Sequence, residues 1–343
     1  MTSALVARLD NDGDVLLAGP AVRAVAAGAD RVTLLCGPRG RQAAAMLPAV
    51  DEIVEYRAPW IDPDGHPVDR GATADLVGRI AAHAPARAMI LTSFHQSALP
   101  TALLLRLAGV AEIAAVSEDY PGSLLDVRHH VDDDAHEVER GLSVVGSLGY
   151  RLPPGDDARL QVRLPLPGTV EPPFGGRYVV IHPGASVTAR AYRPDGHARL
   201  VHELLGRGWR VAVTGAASEA GLTALVAGRA REGVRDLGGA TTFAELAEVI
   251  AGAAAIVVGN TGPAHLAAAV GTPIVSVYAP TVPAVRWRPW RVPHVLLGRP
   301  VPCAGCRARD CPVAGHPCLD LSPGEIADAL ESLVAPVAVE VPA

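Results

Sequence analysis

The chain has 343 residues, 49% hydrophobic and 19% charged, with a net charge of −6; at about 150 residues per domain this predicts two globular domains and excludes a disordered or collagen-like chain. All 30 basic residues are Arg and none is Lys, which excludes Schiff-base lysines, lysine bases and the lysine of a P-loop. An acidic balance with scattered Arg offers no basic stripe to nucleic acid.

In chain order, Asp10, Asp12 and Asp14 arrive too early for a signal peptide. No apolar run reaches the roughly 18 to 20 residues of a membrane helix, so a cytoplasmic protein is expected, with no transmembrane segment and room only for peripheral membrane association. Strands are predicted at 4–9, 31–36, 53–54 and 88–92, and helices at 15–27, 41–47, 73–83, 97–107 and 133–148. A Pro/Gly-rich stretch then breaks the alternation, predicting a first domain over 1–165, a linker over 166–176 and a second domain over 177–343. There the rhythm resumes, with strands at 178–182, 210–214, 255–258 and 274–278 and helices at 194–205, 219–231, 243–251 and 263–270. Such alternation predicts an α/β protein of two Rossmann-like domains facing across a cleft, with the chemistry in loops at the carboxyl ends of strands.

Several motifs are missing. No G-x-G-x-x-G follows a strand, no G-x-S-x-G is present, and neither His136-Glu137 nor His202-Glu203 continues into H-E-x-x-H. Dinucleotide dehydrogenases, serine hydrolases and zincins are thereby disfavoured.

Three loops carry functional residue types. The first reads Asp10-Asn11-Asp12-Gly13-Asp14. Gly13 suits a tight turn, and Asp14 is either the N-cap of the next helix or a general base for a hydroxyl nucleophile. The second runs from His182-Pro183-Gly184-Ala185-Ser186 through Thr188, Arg190 and Arg193 to a helix start at Pro194. Amides, hydroxyls and a guanidinium gathered there make an anion site suited to a diphosphate. The third is Gly259-Asn260-Thr261-Gly262-Pro263-Ala264-His265; glycine allows close backbone approach, while His265 is either a ligand contact or a structural group of the first helical turn. In the first half, Thr92 to Ser97 should border the cleft, which makes Gly13, His95 and Gln96 candidates for acceptor contact against the alternative of loop capping.

In their order along the chain, G-D-V, H-P-G-A-S-x-x-x-R and G-N-T-G-P-A-H-L-A-A-A-x-G-T-P resemble glycosyltransferase family 9, the heptosyltransferases. The resemblance implies a GT-B fold and an inverting, metal-independent transfer of heptose from ADP-heptose. It makes Asp14 the catalytic base, Ser186, Thr188 and Arg190 the diphosphate ligands, and Asn260, Thr261, Gly262 and His265 the donor sugar and phosphate loop. It sets Glu219, Thr241 and Thr242 near the nucleoside. Two positions depart from the family: Arg190 stands in the place of a Lys, and Asn260 in the place of an Asp, removing an anionic partner for sugar hydroxyls. The implied partners are an ADP-sugar and a glycan or small-molecule acceptor, such as lipopolysaccharide, another envelope glycan or a secondary metabolite. Alternatives are a non-catalytic nucleotide-sugar-binding protein of the same fold and a GT-B enzyme using another nucleotide hexose.

The cysteines Cys303, Cys306, Cys311 and Cys318 crowd a late Pro/Gly-rich loop. Their residue types suit a structural zinc site, free thiols or a redox-dependent bond; the family resemblance assigns them no catalytic need and implies no cofactor for catalysis.

Overall fold

The computed structural model describes residues 2–164, 171–228 and 232–334, and it divides into two units, Met1–Arg163 and Leu164–Ala343. The expected linker over 166–176 lies partly outside the described residues. Unit one holds β1 Ser3–Arg8, β2 Arg31–Cys36, β3 Glu52–Glu55, β4 Arg87–Ile90, β5 Glu112–Val116 and β6 Val127–His129. Unit two holds β7 Tyr178–His182, β8 Arg210–Gly215, β9 Val234–Gly238, β10 Ala255–Gly259, β11 Ile274–Val277 and β12 His294–Leu297.

Each unit is built on one six-stranded sheet, ordered β3-β2-β1-β4-β5-β6 and β12-β11-β10-β7-β8-β9, with parallel pairing throughout. Parallel strands covered on both faces need uninterrupted apolar runs. The central strands have them: β7 is buried at all five positions, and the last five of β1 are buried too. The two sheets thus share one topology, in which the order reverses between the first and fourth strands of each unit. That reversal falls between β1 and β4 in unit one and between β7 and β10 in unit two. Open α/β sheets bind ligands beyond the carboxyl ends of such strands.

Four strands escape a reading by hydrophobic runs. β6, β9 and β12 are sheet edges, short or polar because solvent meets one side, and β5 is Glu-Ile-Ala-Ala-Val, in which alanine gives little strand signal. Helix limits shift as well. The helix expected at 133–148 is Glu137–Ser147, because the His136 ring accepts the Val138 N–H and the Glu139 carboxylate accepts the His136 N–H, closing a capping box. The helix expected at 15–27 is Asp12–Ala26, with Asn11 as N-cap. The helix expected at 219–231 is Ala220–Ala227, and 229–231 lie outside the described residues. Among the described residues no helix is long and apolar enough to cross a membrane.

Candidate functional site

In unit one the loops after β1 and β4 meet on a single buried arginine. Arg8 ends β1 at 3% exposure. Its guanidinium reaches Asp10 Oδ2 through Nε at 2.9 Å, Asp14 Oδ1 through Nη2 at 2.9 Å and Glu137 Oε2 through Nη1 at 3.1 Å. Nη2 also donates to Ser93 Oγ at 2.6 Å, and that hydroxyl lies 3.4 Å from both Asp10 Oδ2 and Asp14 Oδ1. Burial works against the Arg8 charge, but its three carboxylates outweigh it and hold the group above the ordinary arginine value. Asp14 is not the N-cap but a first-turn residue, and Gly13 is helical rather than a tight turn. The Asp14 side chain is 20% exposed, against 8% for Asp10 and 2% for Glu137, so it is the most accessible of the three carboxylates.

Gln96 accepts the Ser93 N–H at 2.9 Å and donates its amide to Asp10 Oδ1. It therefore braces the carboxylate cluster, while His95, with φ of 83°, turns outward from it. Burial raises the Asp10 carboxyl to about 6, with Arg8 pulling it down and Asp14 pushing it further up. A carboxylate raised on folding binds protons more tightly in the folded chain, so its ionisation costs stability as pH climbs from about 4 to 6. Asp10→Asn is accordingly expected to stabilise the protein by about 1–2 kcal/mol above pH 6 and to have no effect below pH 4. Urea unfolding at pH 4 and pH 7.5 checks this; an equal effect at both values would disprove it.

In unit two the loops after β7 and β10 likewise come together. Gly184 passes beneath the Glu219 carboxylate, because a Cβ there would lie 2.0 Å from Oε1. Glu219 accepts the Ala216 N–H at 2.8 Å and stands 3.9 Å from His182 Nε2. His182 bonds Thr214 Oγ1 at 3.0 Å, and burial lowers it to about 4 despite Glu219, so it is neutral at physiological pH. The Thr188–Arg190 turn lies against the end of β10: a Cβ on Gly259 would come within 3.3 Å of the Arg190 carbonyl. Arg190 Nε donates to Thr281 Oγ1 at 3.2 Å. Asn260 is buried and donates to the Tyr278 hydroxyl at 3.3 Å. Thr261 precedes the helix Gly262–Val270, and its buried hydroxyl makes no hydrogen bond within the protein. His265 is buried in the first turn of that helix.

Arg190, Asn260, Thr261 and the Gly262 amide at a helix start whose next residue, Pro263, has no N–H thus lie at the switch point of the second sheet, the place where open α/β sheets bind ligands. Not every expected ligand points there. The Thr188 hydroxyl is taken up by the Arg309 carbonyl at 2.7 Å and by Asp310. Thr242 caps the helix Phe243–Ala251, accepting the Glu245 N–H at 3.2 Å. Ser186 is exposed, and Thr241 is half-buried just ahead of that cap.

The cysteines are free thiols, with Cys303 and Cys306 exposed and Cys318 buried. Burial, helped by the charges of Cys311, Cys303 and Cys306, pushes the Cys318 thiol up. Yet among the described residues no three His, Cys, Asp or Glu are gathered to hold a metal, so of the three readings left open for these cysteines the zinc set is not the one seen here. The reason is that Cys318 packs into the core with Leu319 and Leu321, whereas Cys303 and Cys306 face outward.

Sequence reasoning missed Arg8, Ser93 and Glu137. The available signal was one charged residue closing an apolar strand, Ser-Ala-Leu-Val-Ala-Arg, which a parallel strand tolerates only when paired.

The model of glycosyltransferase family 9 (heptosyltransferase) matches residues 92–316. Lipopolysaccharide heptosyltransferase 3 of Escherichia coli strain K12 is 30% identical over 165 residues, 45% of this chain and 47% of that protein. Lipopolysaccharide heptosyltransferase 1 of Pseudomonas aeruginosa is 31% identical over 228 residues, 63% of this chain and 61% of that protein. The alignments thus span about half to three fifths of the length of these curated relatives. An Escherichia coli heptosyltransferase solved with ADP-2-deoxy-2-fluoro heptose superposes with a TM-score of 0.74 at 19% identity, covering 96% of this chain and 99% of that one. That likeness shows the GT-B fold.

Proposed function

The chain belongs to glycosyltransferase family 9, and from that premise we propose that it is an inverting, metal-independent transferase moving a heptose or related sugar from an ADP-sugar to a hydroxyl of a glycan or small-molecule acceptor. The observation that carries the reading is Asp14: a partly exposed carboxylate at the carboxyl end of β1, oriented by Arg8 at 2.9 Å and backed by Ser93. In the proposed reaction Asp14 takes the proton of the acceptor hydroxyl as its oxygen bonds to the anomeric carbon. The bond from that carbon to the diphosphate breaks, and ADP leaves with the electron pair. Arg190 and the Gly262 amide offset its charge, which is the service a divalent ion performs in metal-dependent transferases. Glu219 and Thr241 hold the nucleoside in this scheme. An ADP-heptose analogue on the related Escherichia coli enzyme supports the donor class.

Nucleotide choice tests the reading. ADP at 100 times its Kd is expected to stabilise the folded chain by about 2.7 kcal/mol, with GDP and UDP weaker at equal concentration. A thermal-shift titration that ranks UDP first defeats the ADP-sugar assignment. Transfer is then scored by mass spectrometry of products from ADP-heptose isomers and candidate acceptors.

A further inference from the structure

The Thr188–Arg190 turn is held in place from outside, by the cysteine-bearing loop. Arg309 accepts the Ala189 N–H at 2.9 Å and the Thr188 hydroxyl at 2.7 Å. On the other side, His316 Nε2 lies 3.1 Å from the Ala189 carbonyl. The Arg190 guanidinium is tied to the same loop, because Thr281, which it contacts at 3.2 Å, accepts the Arg307 N–H at 3.0 Å. The turn is a short piece of 3-10 helix, whose internal hydrogen bonds are weak, so these external contacts set its position. His316 has φ 49° and ψ 61°, a left-handed conformation that Gly or Asn adopts more readily. A glycine there would relieve the backbone, but only a long side chain with an N–H reaches the Ala189 carbonyl.

We propose that His316 is a positioning residue for donor binding: by holding the Ala189 carbonyl it fixes the turn that presents Arg190 to the diphosphate. The inference rests on the reading of Arg190 as a diphosphate ligand. A small displacement of such a group is costly, since about 1 Å of misplacement can lose 10²-fold in rate. The loop around the four thiols thereby becomes part of the donor site without touching the donor.

Calorimetric titration with ADP and with adenosine tests this, since adenosine lacks phosphate and reports the nucleoside pocket alone. His316→Leu is expected to weaken ADP about tenfold, the scale of one lost hydrogen bond, and to leave adenosine unchanged. In turnover it should raise KM for the ADP-sugar more than it lowers kcat. His316→Gln, whose amide can donate to the same carbonyl, should restore most of the affinity. Thr188→Val removes the hydroxyl's hydrogen bonds to the Arg309 carbonyl and Asp310 on the other side, leaving the Ala189 N–H bond, and should give a selective loss of the same kind, which keeps the test decisive if His316→Leu does not fold. Equal losses of ADP and adenosine affinity, or variants that bind ADP as wild type does, overturn the proposal. Wild-type protein that binds adenosine but not ADP overturns the donor reading, and this inference with it.

Discussion

Asp14→Asn is expected to lower kcat by about 10²- to 10⁴-fold, the usual contribution of a positioned proton acceptor, while ADP affinity stays as in the wild type. Asn is nearly isosteric and keeps an oxygen for the contacts with Arg8 Nη2 at 2.9 Å and Ser93 Oγ at 3.4 Å. The geometry of the cluster should survive and only the basicity vanish, which separates proton transfer from architecture. Single-turnover kinetics with saturating ADP-sugar measure the effect. A variant within about threefold of wild type would dismiss Asp14 as the base, because a proton acceptor of even modest importance contributes about 10²-fold. Asp10, the other carboxylate on this loop, is the control: it is less exposed and occupied by Gln96 and Arg8, so its neutral variant should alter stability more than turnover.

Arg8→Leu is expected to cost about 3–5 kcal/mol, the toll of breaking a buried ion cluster by removing one partner. Three carboxylates would remain around an apolar side chain, with Glu137 and Asp10 almost entirely inside the protein. For a unit of this size that lowers Tm by about 6–20 °C. The loss should shrink in acid, where the stranded carboxylates take up protons. Calorimetry at pH 5 and pH 7.5 checks both the size and the sign of the pH effect; a loss below about 1 kcal/mol would mean that water reaches the cluster.

How much of this was legible in the sequence depends on what kind of contact each feature needs. Strand-to-helix loops at Asp14, Ser186 and Asn260 are local patterns, written within a few residues, and the structure puts the last two units of pattern, Arg190 and Asn260–Thr261, at one switch point. Arg8, Ser93 and Glu137 meet across 85 and 129 positions of chain, and no local period encodes such a meeting. The pair His136-Glu137 shows the difference. As a motif it fails the zincin pattern, yet His136 caps a helix and Glu137 neutralises the arginine at the centre of the unit. Thr188 and Gln96 show the converse: the residue type suits a ligand contact, but a neighbouring loop, through Arg309 for Thr188 and Asp10 for Gln96, claims the side chain first.

The Arg8 cluster also bears on how unit one comes to be folded. Asp10 and Asp14 reach Arg8 from the same stretch of chain, but its third carboxylate, Glu137, follows 129 residues later, and at about 5–20 residues per second of synthesis that is a wait of roughly 6–26 s. Meanwhile β1 pairs with β4 across more than eighty residues, a separation that makes parallel sheets slow to close. The set of contacts that orients Asp14 is therefore completed only once the last helix of unit one, Glu137–Ser147, has been made.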